Sequence, residues 1–202
     1  DGTARLWNAE TGVAIRILRS HRAPLRAAAF SSDGLRVVTA SGHYSQSNDN
    51  TARIWDASNG AELATLTGHG KVIWSAAFSP NGTHVVTTSG DGTARIWDAT
   101  SGKQLAVLDV KDVDCHFAAF TGDGERIIVA TKAEFLCWDA RSYVPLDSAN
   151  SSMGQAPLAI FAPNGIVEWL TGDDGYTRKL IRDDGLTVAD EGCGLLDTRT
   201  GA

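Results

Sequence analysis

Cysteine is scarce in this chain. Cys115, Cys137 and Cys193 stand at no metal-ligand spacing, and an odd number closes no disulfide framework. They read as small buried hydrophobes of a reducing compartment, so a cytoplasmic location is expected. A basic surplus is also lacking. The net charge of −6 and the pI near 5.3 speak against nucleic acid, whose binders usually carry a basic face. No apolar run reaches membrane length, so no membrane partner is expected. Phosphate loops, GxSxG, HExxH, CxxC and complete calcium loops are all missing, and with them any expectation of a cofactor or metal. An initiator Met is missing too. The chain opens at Asp1 in the middle of a repeated motif, so a fragment of a longer protein is expected. With 43% hydrophobic and 21% charged residues it is globular rather than disordered.

What is abundant is repetition. Gly90-Asp91-Gly92-Thr93-Ala94-Arg95-Ile96-Trp97-Asp98 reads as a tight turn entering an alternating strand. The same words recur as Asp1-Gly2-Thr3-Ala4-Arg5-Leu6-Trp7-Asn8 and Asp49-Asn50-Thr51-Ala52-Arg53-Ile54-Trp55-Asp56. A worn copy is Phe135-Leu136-Cys137-Trp138-Asp139. Around each lie three further short apolar runs, separated by Gly, Asn, Asp and Ser corners. Two landmarks fix the period. Phe30, Phe78, Phe120 and Phe161 are 48, 42 and 41 residues apart, and so are Trp7, Trp55, Trp97 and Trp138; Leu180 follows 42 later in the Trp place. Four strands and a Trp-Asp pair at a period near 42 predict an all-β stack of antiparallel sheets, each apolar on both faces and therefore sandwiched by its neighbours.

Trp55-Asp56, Trp97-Asp98, Trp138-Asp139, Gly68-His69 and the Asp-Gly turns resemble the WD-repeat β-propeller family, over almost the whole chain. The resemblance implies a β-propeller of four-stranded antiparallel blades, about four and a half of them, in an incomplete ring. The expected units are a partial first blade over 1–20, blades over 21–68 and 69–110, degenerate blades over 111–153 and 154–190, and a tail over 191–202. Within that tail Leu195-Leu196-Asp197 echoes Leu6-Trp7-Asn8, as if a further strand began there. Roughly 18 strands are expected, against about 28 in a seven-bladed ring. Apolar blade ends would then need covering by the rest of a longer chain or by a second copy.

A His, a Thr and an Asp together suggest a nucleophile system. The family implies something else for His69, Thr87, Asp91 and Trp97, and again for His21, Thr39, Asp49 and Trp55. These match its structural tetrad, and duplication at the repeat period favours architecture over catalysis. The fourth unit has Lys132 where the turn Asp should stand and no Gly-His before Cys115, while the fifth keeps Asp174 but has Leu180 for Trp.

By the family's pattern, residues three and five after the loop His, and the one before the turn Asp, point to the upper face. They are Pro24, Arg26 and Asn48, then Val72, Trp74 and Gly90, then Asp114 and His116, and more weakly Gln155, Pro157 and Asp173. Trp and Arg are enriched at binding hot spots, which singles out Arg26 and Trp74 beside His116. The six extra residues of the second unit lengthen a polar loop on the same face, with His43, Tyr44 and Asn48 as candidate contacts. The function expected is a non-enzymatic scaffold that holds a protein or peptide on this face, within a larger signalling or regulatory protein of bacterial type. The alternative is an enzyme with its site in the central channel of the complete ring, for which only Asp114 and His116 offer acid-base groups.

Overall fold

Glycine corners cut the chain into strands. In the turn after each first strand, Gly34, Gly82 and Gly124 donate their N–H to the carbonyls of Ser31, Ser79 and Thr121 at 2.8–2.9 Å. Their φ angles of 68–73° are open to glycine at little cost, so the turn is written into the residue. The computed structural model describes residues 2–43, 49–110, 115–131 and 135–146, together with the strand backbones of 158–162, 165–172, 175–181, 186–189 and 194–197. No helix occurs among them.

The first sheet holds two strands, β1 (Thr3–Trp7) and β2 (Ala14–Arg19). The second runs β3 (Leu25–Phe30), β4 (Arg36–Ser41), β5 (Thr51–Asp56) and β6 (Glu62–Thr67), each antiparallel to the one before. The third repeats it with β7 (Ile73–Phe78), β8 (His84–Ser89), β9 (Thr93–Asp98) and β10 (Gln104–Asp109). The fourth has β11 (Phe117–Phe120), β12 (Arg126–Ala130), β13 (Phe135–Asp139) and β14 (Pro145–Leu146). The last has five: β15 (Leu158–Ala162), β16 (Gly165–Gly172), β17 (Gly175–Ile181), β18 (Leu186–Ala189) and β19 (Gly194–Asp197). β19, in the segment where a further strand is expected to begin, lies along β18 with Ala189 opposite Gly194 and Leu186 opposite Asp197.

The core lies between sheets rather than within one. Leu18 of the first sheet packs with Val37 and Trp55 of the second. Val38, Ile54 and Leu66 of the second pack with Ile73, Phe78, Val85 and Trp97 of the third. Val86, Ile96 and Leu108 of the third pack with Cys115, Phe120, Ile127, Val129 and Trp138 of the fourth. Phe78, Phe120, Trp55, Trp97 and Trp138 thus face the preceding sheet. Where the preceding sheet lacks its inner strands, or where no earlier sheet is present, the landmark lies open. Phe30 is 54% exposed against 4% for Phe78, and Trp7 is 56% exposed against 1% for Trp97.

Polar contacts repeat across the same seams. Arg36 lies over the Phe78 ring at 5.3 Å and donates from Nη2 to the Gly82 carbonyl at 2.7 Å. His84 takes the same place against Phe120, with ring centroids 6.5 Å apart. The Asp that follows each Trp caps the next turn. Asp98 Oδ1 accepts from the N–H of Thr100 and Ser101 at 3.1 and 2.7 Å, and Asp56 and Asp139 act alike.

Candidate functional site

Two hydrogen-bonded chains sit at the end of the sheets where β3 and β7 begin. In the third sheet, Trp97 Nε1 donates to Thr87 Oγ1 at 2.8 Å. Thr87 Oγ1 lies 2.8 Å from His69 Nε2, and His69 Nδ1 lies 2.9 Å from Asp91 Oδ2. One assignment of protons satisfies every atom: the indole N–H to the hydroxyl, the hydroxyl to Nε2, and Nδ1–H to the carboxylate. The second sheet repeats it with Trp55, Thr39, His21 and Asp49 at 2.8, 2.8 and 3.1 Å. Asp91 also receives the Gly70 N–H on Oδ2 at 3.0 Å, and the Thr93 N–H and hydroxyl on Oδ1 at 3.0 and 2.6 Å. The turn is thereby tied to the loop that carries the His.

That proton assignment needs a neutral imidazole. Burial pushes His69 and His21 below the usual 6.5, against the opposing pull of Asp91 and Asp49. Burial alone would raise Asp91. The hydrogen bonds from His69, Thr93 and the Gly70 N–H outweigh it and hold the carboxyl well below the ordinary range. Both shifts carry the same sign for stability. Between 6.5 and the lower folded-state value the unfolded His binds more protons, so stability falls as pH drops through that window and is level above it. Asp49 and Asp91 add a second loss below their usual 3.8. Thermal unfolding midpoints across a pH series are expected to be level above about pH 7 and to fall steadily below about 6.5. A midpoint that rises on acidification would refute this.

The fourth sheet shows no such chain among its described residues. Val129 occupies the place of Thr87 and Thr39, a departure visible in the sequence nine residues after the Phe landmark. Trp138 is still 5% exposed, held by apolar packing.

Above the His loops runs a strip of three side chains from successive sheets. The Arg26 guanidinium lies over the Trp74 ring at 5.6 Å, and the Trp74 and His116 ring centroids are 5.8 Å apart with planes inclined at 46°. Local backbone explains the placement. β3 pairs with β4 through Leu25 and Ala27, skipping Arg26, and β7 pairs with β8 through Ile73 and Ser75, skipping Trp74. A bulge of this kind turns one side chain out of the ladder. His116, four residues before its Phe as Arg26 and Trp74 are before theirs, donates its N–H to the Ala130 carbonyl just outside β11. Arg26 Nε donates to the Gly42 carbonyl at 3.3 Å. Gly42 and Gly90 let the loops close in: a Cβ on Gly42 would come within 2.5 Å of the Val72 Cα, and one on Gly90 within 3.4 Å of Trp74 Nε1.

The structure therefore brings Arg26, Trp74 and His116 together, with Arg26 and His116 exposed and Trp74 half-buried. Pro24 and His43 are exposed at the same end. Val72, expected to point outward, is instead 2% exposed, wedged beneath Gly42 and Gly90. Tyr44, Asn48, Asp114, Gln155, Pro157 and Asp173 lie outside the described residues.

Four-stranded antiparallel sheets following one another in chain order, with a Trp-Asp at the end of the third strand in the second, third and fourth, define an incomplete β-propeller. Residues 12–56 and 60–98 match the family model "WD40: WD domain, G-beta repeat", so these two stretches are WD repeats. Each matched stretch starts at or just before the fourth strand of one sheet and ends with the Trp-Asp pair of the next, so one sequence repeat staples two sheets together. No curated protein matches the chain significantly. WD40 repeats generally mediate protein–protein interaction and are typically non-enzymatic.

Proposed function

We propose that this chain is part of a non-enzymatic scaffold, cytoplasmic and belonging to a larger signalling or regulatory protein, that holds a protein or peptide partner at the end bearing Arg26, Trp74 and His116. The observation behind it is the strip itself. Three unlike side chains, one from each of three otherwise similar sheets, lie against one another, Arg26 and Trp74 at residues that their ladders skip and His116 just outside β11. A half-exposed Trp flanked by Arg has the composition of a binding hot spot. The tetrads support a scaffold over an enzyme, because the Thr87 and Thr39 hydroxyls are 0% exposed and bonded on both sides. A nucleophile must reach its substrate, and these do not.

Captures with the intact chain, Arg26→Ala and Trp74→Ala test the reading. Partners held by the intact chain are expected to be lost from Trp74→Ala and weakened by Arg26→Ala. Partners retained by both variants would sink it.

The open faces of Phe30 and Trp7 support a second part of the proposal: further strands, from a longer chain or a second copy, cover the first sheet. A hairpin of the β3–β4 type along β1 would supply both the Thr for Trp7 and the cation that Arg36 provides to Phe78. With such a hairpin and a preceding sheet both in place, Trp7→Ala is expected to become as damaging as Trp97→Ala.

A further inference from the structure

We infer that the ligand of the Arg26–Trp74–His116 strip is an acidic peptide segment, its carboxylates on Arg26 and an apolar side chain on the Trp74 ring. This rests on the reading that the strip is the partner site, and adds the chemistry of what binds.

Arg26 has donors to give. Its Nε–H goes to the Gly42 carbonyl and its guanidinium carbon lies over the Trp74 ring, and it makes no other hydrogen bond among the described residues. A guanidinium carries five N–H donors in a planar fork that matches a carboxylate. Stacking on Trp74 holds that fork in place, which lowers the entropy cost of engaging a ligand.

Among the described residues, the unengaged charge beside the strip is positive: Arg22 and Lys71 are exposed in the two described His loops. The described carboxylates near the strip are Asp49 and Asp91, and both are already engaged by a His, a hydroxyl and backbone N–H groups. They are not available to a cationic ligand. Asp109 is exposed at the same end, but on β10, the fourth strand and outer edge of its sheet. The opposite end collects Asp33, Asp56, Asp98, Asp123 and Asp139 in its turns. In a chain of net charge −6, the strip is a cationic place on an acidic protein. Such a field steers acidic segments toward it and repels basic ones.

The test is selection from a displayed library of random dodecapeptides on the whole chain, on Arg26→Glu and on Trp74→Ala, each variant first checked for an unchanged unfolding midpoint. The intact chain is expected to enrich peptides rich in Asp and Glu with one aromatic or aliphatic side chain. Those peptides should bind Arg26→Glu about tenfold or more weakly, as expected for reversing a charge-assisted contact. Arg26→Glu should enrich Lys- and Arg-bearing peptides in their place. Peptides lost on Trp74→Ala but without acidic bias, and indifferent to Arg26→Glu, would overturn the acidic ligand while leaving the strip as the partner site. Peptides indifferent to both variants, or no enrichment at all, would overturn both. Displacement of selected peptides by oligothymidylate but not by polyglutamate would assign the strip to nucleic acid and overturn the inference as well.

Discussion

Trp97→Ala is expected to destabilise the chain by about 3–5 kcal/mol, and Trp7→Ala, at the same place in the repeated motif, by less than about 1 kcal/mol. The two residues sit in nearly identical words, Thr-Ala-Arg-Ile-Trp and Thr-Ala-Arg-Leu-Trp. What differs is the neighbour. Trp97 is 1% exposed, packed with Ile73, Phe78 and Val85 in the seam between the second and third sheets, and bonded to Thr87 through its indole N–H. Its truncation removes the transfer energy of the largest side chain and leaves a cavity between two sheets that rigid ladders cannot close. Trp7 is 56% exposed, and its indole N–H makes no hydrogen bond among the described residues. Truncation there removes surface that water already wets. Since a domain of this kind rests on roughly 5–15 kcal/mol, the first change approaches unfolding and the second is hard to see. Urea titrations followed by circular dichroism separate the two. Equal losses for both variants would mean that the Trp acts within its own sheet and not across the seam.

The same contrast shows what was legible in the residues. Strands and turns were readable because the turn chemistry is local. Gly34, Gly82 and Gly124 dictate their corners without help from the rest of the chain. The partners in the tetrads were readable because they recur at the repeat period. Burial was not, since it depends on what lies opposite. Phe30 and Phe78 occupy the same register, yet one is open and the other closed. The outward turn of Arg26 and Trp74 was placed by analogy, but its cause, a skipped residue in the first ladder, belongs to strand pairing and leaves no mark in composition. Val72 shows the limit of such analogy. An apolar side chain at a face position followed the hydrophobic effect under two loops whose glycines admit it.

Thr87→Val is expected to cost roughly 2–5 kcal/mol, while Thr88→Val, one residue on, is expected to be neutral or to stabilise by about 1 kcal/mol. Both residues are 0% exposed on β8, and both substitutions exchange a hydroxyl for a methyl at nearly constant volume. Packing therefore changes little in either, and the hydrogen bonds decide the sign. Thr87 Oγ1 accepts from Trp97 and stands between it and His69, so its loss leaves the indole N–H and His69 Nε2 buried without partners. Each unsatisfied group costs about 1–3 kcal/mol, and the two are stranded together. Thr88 Oγ1 has no hydrogen-bond partner among the described residues. Its burial is already a cost, which a methyl removes. Equilibrium unfolding of the two variants under identical conditions gives the comparison directly. Similar destabilisation by both would show that β8 responds to shape alone, and would remove the physical case for treating the duplicated His, Thr, Asp and Trp as the fastening of each blade.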